Sequence, residues 1–136
     1  MVNCERLSYA LGAAITDIDI RGLINGDDVK SFQEIWHENH VVIIRGQSAQ
    51  PQDIINFAEN FGVLDNHEAT PFYRMEGYPQ LLEITTKPFN GRPSETRNVG
   101  RNWHSDYSIL IDPLQPQYYF VRNRHRLVVI LCSVIW

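Results

Sequence analysis

Val41-Val42-Ile43-Ile44-Arg45-Gly46-Gln47-Ser48 is the stretch on which the fold turns. Val41 to Ile44 is a continuous β-branched run, which suits a strand buried on both faces. A doubly wound nucleotide fold would follow such a strand with a glycine-rich turn. Arg45-Gly46-Gln47-Ser48 is not such a turn. A helix is expected next, because Pro51 suits a first helical position. Ile54, Ile55, Ala58 and Phe61 form its apolar stripe and Gly62 its stop. Upstream, Asn25-Gly26-Asp27-Asp28 is a turn able to end in a helix N-cap. Val29, Phe32, Ile35 and Trp36 then recur at helical spacing, with Lys30, Gln33, Glu34 and His37 on the other face. Before that helix, Ala13 to Ile20 reads as a half-buried strand, alternating from Ile15 onward. Leu81 to Thr86 is a further strand, and Lys87 to Arg101 a long polar loop. The helices are thus confined to the first half. The expected class is mainly β with flanking helices (α+β).

Composition narrows the function. Apolar residues make up 43% and charged residues 21% of the 136, as in a globular protein and not a disordered chain. The net charge of −4 argues against sequence-independent nucleic-acid binding, which needs clustered cations. Cys4 and Cys132 form no CxxC pair, which favours a reducing, cytoplasmic compartment. Met1 to Leu11 carries Glu5 and Arg6 and does not read as a signal peptide. The apolar run Leu127 to Trp136 has 10 residues, too few to span a bilayer, so no membrane partner is expected.

The last 20 residues contain three Arg and no Asp or Glu. Arg122-Asn123-Arg124-His125-Arg126 is followed by Leu127-Val128-Val129-Ile130-Leu131, with no polar strand face after it. This stretch reads either as a buried strand or as a segment that the fold was not built for. Residues 117–136 are therefore set apart as an atypical basic and apolar tail.

The chemistry lies at Trp103-His104-Ser105-Asp106. On a strand, residues i and i+2 point to one face, so His104 and Asp106 can converge on one ion. With a second His they would complete a two-His-one-carboxylate triad with open positions on Fe(II). A bare His-x-Asp also occurs as a solvated surface pair.

The ordered context is more specific. Leu11-Gly12-Ala13 leads into Asp17-Ile18-Asp19, then come Val41 to Gln47 and Phe57-Ala58-Glu59-Asn60-Phe61-Gly62-Val63-Leu64. Thr96-Arg97-Asn98 and Gly100-Arg101-Asn102-Trp103-His104-Ser105-Asp106 follow. Over Leu11 to about Pro113 the chain resembles the Fe(II)- and 2-oxoglutarate-dependent dioxygenases of the taurine and 2,4-dichlorophenoxyacetate dioxygenase family. The resemblance implies a double-stranded β-helix (jelly-roll) barrel, here incomplete, with residues 1–116 as the N-terminal part of the domain. It implies Fe(II), 2-oxoglutarate and O₂, and oxidation of a C–H bond in a small anionic substrate, a taurine-like sulfonate or a carboxylate. His104 and Asp106 look like the first two iron ligands, with no catalytic residue expected beyond the ligands. His67, three residues after Leu64, matches a His that meets the substrate sulfonate in taurine dioxygenases, and it also reads as a plain loop His at the barrel mouth. Thr70 and Gly100 stand where taurine enzymes carry Tyr and Asn, which argues against taurine itself. Arg97 and Arg101 could steer an anion or be solvated, and His37 and His40 read as solvated.

Three family features are missing: a Thr in a Gly-Gly-Asp-Thr segment, a distal His ligand, and an Arg for the far carboxylate of 2-oxoglutarate. His125, in its Arg cluster, does not suit the third ligand. The chain by itself is accordingly expected to be inactive; a non-catalytic β-rich binding module or an inert fragment is the alternative. The tail offers a reason. Leu127 to Trp136 can be encoded TTG GTG GTG ATA CTC TGT TCT GTA ATA TGG. Read from the last G of the first codon, this gives Gly-Gly-Asp-Thr-Leu-Phe-Cys-Asn-Met, the segment the family has after its His-x-Asp. The reading frame is therefore expected to slip around Pro113 to Gln117. The tail would then pack poorly and leave Val41–Ile44 and Leu81–Thr86 short of strand partners.

Overall fold

A computed structural model describes residues 2–22, 24–68, 70–88, 94, 102, 117–123 and 126–132. They fall into two compact units, residues 1–63 with 114–136, and residues 64–113.

In the first unit, Cys4–Arg6 (β1) pairs antiparallel with Ala13–Ile15 (β2). The helix Gly26–Asn39 (α1) follows. Asn25 caps it, its Oδ1 accepting the Asp28 backbone N–H at 2.9 Å. Asp27 and Asp28 complement the positive end of the helix. The predicted stripe is present, with Phe32 and Trp36 buried and Lys30, Glu34 and His37 exposed. His40 closes the helix in the left-handed region (φ 63°), its N–H donating to the Trp36 carbonyl at 2.7 Å. His40 thus has a structural task that the expectation of a solvated residue overlooked.

Val41–Gln47 (β3) runs parallel to β2. A parallel pair needs a crossover, and α1 supplies it. Burial on β3 alternates: Val42 and Ile44 are fully buried, Val41 and Ile43 half-buried. The expected burial on both faces is thereby corrected, because only one face of β3 enters the core. Gly46 (φ 73°) sits where the register shifts between Ile44 and Gln47, a conformation that favours glycine.

Pro51–Glu59 (α2) starts with Pro51 as expected. The Gln50 backbone N–H donates to Asp53 Oδ2 at 2.8 Å, satisfying one donor at the helix start. Ile55, Phe57 and Ala58 are its buried residues, so Phe57 joins the predicted stripe. Phe32 meets Phe57 edge-on at 5.8 Å between ring centroids, and Phe61 lies 5.0 Å from Phe32. With Ile15, Ile18, Ile20, Trp36, Val42 and Ile44, Phe32 and Phe57 form the core, and the half-buried Phe61 packs against it.

The strand expected over residues 13–20 ends at Ile15. Ile18 and Ile20 are still buried while Asp17 and Asp19 are exposed, so the alternation holds without a ladder. A side chain takes the place of the neighbouring strand. Gln47 Nε2 donates to the Ile18 carbonyl at 2.9 Å, and its Oε1 accepts the Ile20 N–H at 3.0 Å.

The largest correction concerns the tail. Gln117–Asn123 (β6) and Arg126–Cys132 (β7) pair antiparallel from Asn123↔Arg126 to Gln117↔Cys132. β7 also pairs antiparallel with β3, from Val41↔Cys132 to Gln47↔Leu127. The sheet order is β1-β2-β3-β7-β6, so the segment expected to pack poorly is paired within the sheet, and Val41–Ile44 does not lack partners. The physical reason is that ladder bonds are made by backbone N–H and C=O groups, which ask only for an extended chain. A β-branched run supplies that without polar alternation.

In the second unit, a 3₁₀ turn over Pro71–Tyr73 precedes the hairpin Arg74–Met75 (β4) and Tyr78–Leu82 (β5). Gly77 (φ 80°) makes the turn between them. The strand expected over Leu81–Thr86 is corrected to 78–82. The Glu83 N–H still donates to the Tyr73 carbonyl at 2.8 Å. Beyond that the partner runs into Pro71, which has no N–H. Lys87 to Arg101 lies almost entirely outside the described residues.

Candidate functional site

His104 and Asp106 lie outside the described residues, as do Arg97, Arg101 and His125. Among the described residues, no three His, Cys, Asp or Glu side chains are grouped to hold a metal. The candidate iron ligands therefore rest on the sequence motif, whose imidazole nitrogen and carboxylate oxygen are a donor set suited to a divalent transition metal.

His67 is described, and its surroundings are built in detail. It stands in the left-handed region (φ 52°), a conformation in which His is over-represented among non-glycine residues but which still costs about 1 kcal/mol or more. Two donors fix the backbone there: the Thr70 N–H at 3.0 Å and Arg74 Nε at 3.2 Å both reach the His67 carbonyl. The ring is mostly buried. Its Nε2 lies 3.1 Å from the Gln80 carbonyl on β5. A carbonyl oxygen only accepts, so Nε2 carries the proton in this contact. Nδ1 faces Asp65 Oδ2 at 3.6 Å, and the Asp65 side chain is half-exposed. Sequence reasoning singled out His67 and missed Asp65; the signal available was the Asp-x-His spacing at 65–67.

A concave feature belongs to the first unit. An open cleft of about 340 Å³ lies between Thr16–Asp19, Arg21 and the Arg45–Ser48 turn. Within it Asp19 holds Arg21, with Nη2 to Oδ2 at 2.6 Å and Nε to Oδ1 at 3.0 Å. The Arg21 side-chain hydrogen bonds, joined by its backbone N–H, lower the Asp19 carboxyl from 3.8 to about 2. Asp17 accepts the Asn3 N–H at 3.0 Å. The carboxylates of the cleft are thus engaged with their own chain. His37 is exposed and stacks on Trp36, in keeping with a solvated residue.

Comparison with known proteins bears on the family and the fold. The profile of the family described as "Taurine catabolism dioxygenase TauD, TfdA family" matches residues 3–124. An alpha-ketoglutarate-dependent 2,4-dichlorophenoxyacetate dioxygenase of Cupriavidus pinatubonensis is 29% identical over 109 residues, covering 71% of this chain and 37% of that protein. The protein of the same description from Burkholderia sp. (strain RASC) is 26% identical over 120 residues, covering 79% of this chain and 39% of its own length. The chain thus spans less than two fifths of these curated relatives. Among solved structures, a taurine dioxygenase from Burkholderia xenovorans superposes with a TM-score of 0.51 at 19% identity, covering 57% of this chain and 27% of that one. At that identity the likeness is one of fold.

Proposed function

The chain belongs to the taurine catabolism dioxygenase TauD, TfdA family, and from that premise we propose that its fold serves Fe(II)- and 2-oxoglutarate-dependent oxidation of a small anionic organic substrate. The observation that carries this reading is Trp103-His104-Ser105-Asp106 inside the matched residues 3–124. In the proposal the sheet and its helices form part of a jelly-roll barrel. His104 and Asp106 hold the iron, which when bound would supply the redox chemistry with O₂ and 2-oxoglutarate. His67, fixed on its strained loop, would meet an anionic group of the substrate as a hydrogen-bond donor by exchanging its contact with the Gln80 carbonyl for that group. The sulfonate and the carboxylate are the two groups that fit such a donor, and the reducing cytoplasm is the compartment that suits Fe(II). No helix among the described residues is long and apolar enough to cross a membrane.

No Thr follows Asp106, and the His and Arg that do, His125 with Arg122, Arg124 and Arg126, stand in one cluster and do not match the family's distal His and Arg. We therefore propose that these 136 residues alone do not turn over 2-oxoglutarate, and that residues 117–136 are read out of frame. Pairing of β7 with β3 bears on how the chain folds and not on which frame encoded it. The test is anaerobic titration of the chain with Fe(II). Weak binding that disappears in His104→Ala and in Asp106→Ala is expected, because two ligands stand where three are wanted. Tight one-to-one binding indifferent to both substitutions would overturn the ligand assignment.

A further inference from the structure

Arg74 is the first residue of β4 and is half-buried. A guanidinium keeps its charge in proteins and carries its N–H donors in a rigid fork. One donor is spent: Nε reaches the His67 carbonyl at 3.2 Å. That carbonyl also accepts the Thr70 N–H at 3.0 Å, so the His67 loop and β4 hold the guanidinium between them. The Nη1 and Nη2 groups have no acceptor and no carboxylate partner among the described residues. A half-buried cation without a counter-charge is a costly arrangement that an arriving anion relieves. With Nε engaged, the open end of the fork is the Nη1–Nη2 edge. Its parallel N–H donors match two oxygens of one carboxylate or sulfonate. Fixing the guanidinium beforehand lowers the entropy cost of binding.

We propose that Arg74 is a substrate-binding residue, its Nη edge holding the carboxylate or sulfonate of the substrate beside the His67 loop. The proposal rests on the reading of the substrate as a small anion, and it assigns the recognition of charge to Arg74. His67 would add a hydrogen bond, whereas the guanidinium supplies the counter-charge.

The experiment is NMR of the uniformly ¹⁵N-labelled 136-residue chain, titrated with methanesulfonate and with its neutral analogue dimethyl sulfone. The Arg74 Nε–H signal, assigned by its absence in Arg74→Gln, should shift saturably with methanesulfonate and stay in place with dimethyl sulfone. Arg74→Gln keeps an amide donor for the His67 carbonyl and loses the charge. It should bind methanesulfonate about tenfold more weakly or worse, the scale of a hydrogen bond to a charged group. An unmoved Thr70 amide signal shows that the loop is intact in this variant. If that amide moves, the wild type decides alone: equal responses to the two ligands overturn the proposal, and a response to methanesulfonate only supports it. Equal affinity in wild type and Arg74→Gln would overturn the role of Arg74 and leave the anionic substrate to His67. No saturable response in the wild type would overturn it as well, while the iron assignment stands or falls by the Fe(II) titration.

Discussion

Deleting residues 117–136 sets the sequence pattern against the sheet. On pattern alone the segment is ill matched to a barrel, and its loss should leave solubility equal or better. In the sheet, β7 lies between β3 and β6, in register with β3 at Val41↔Cys132, Val42↔Leu131, Ile43↔Ile130, Ile44↔Val129 and Gln47↔Leu127. Those pairings correspond to about five inter-strand hydrogen bonds at about 1 kcal/mol net each, or about 5 kcal/mol. A single domain has only about 5–15 kcal/mol in total. The deletion also turns Val41–Gln47, seven residues with four β-branched side chains in sequence, into a bare edge. The expected outcome is loss of cooperative urea unfolding by far-UV circular dichroism, or a midpoint lowered to near zero denaturant. Self-association by light scattering should accompany it. A deleted chain that stays monomeric and unfolds at the wild-type midpoint would refute this reasoning. Residues 117–136 would then be dispensable, as the sequence pattern alone suggests.

Gln47→Leu removes both the acceptor for the Ile20 N–H and the donor to the Ile18 carbonyl. A cost of about 1–3 kcal/mol is expected, with faster amide hydrogen exchange at Ile20. Unchanged exchange there would show that water replaces the side chain without loss. The Asp19–Arg21 pair makes a prediction in acid. Arg21 holds the Asp19 carboxyl near 2 when folded, against 3.8 ordinarily. A lowered folded pKa contributes stability that is present above the unfolded value and is lost as pH falls from about 4 towards 2. The effect on stability is small, because both side chains are about half exposed. The carboxyl midpoint by NMR should nonetheless rise towards 3.8 in Arg21→Gln; an unmoved midpoint would remove Arg21 as the cause.

Local pattern determined a good part of this protein. Asn25 and Pro51 mark helix starts because capping and a fixed φ act within one turn. Phe32 and Trp36 are buried where the helical period puts them. Ordered motifs ending in His104 and Asp106 pointed to the family, and the resemblance to that family singled out His67. Tertiary structure decided what each surface met. Which strands Val41–Ile44 would pair with depended on the folded chain, and one of them, β7, lies more than 80 residues away in sequence. Gln47 reaches back 27 residues to Ile20 and bonds backbone groups beyond Ile15, where the ladder with β3 has stopped. His67 is fixed by Gln80, 13 residues on, and by Arg74, through contacts that no spacing rule contains. Periodicity states which side of an element is apolar, because that is a property of consecutive residues. Pairing partners, register and the direction of a polar side chain depend on which distant groups the folded chain brings within hydrogen-bonding distance.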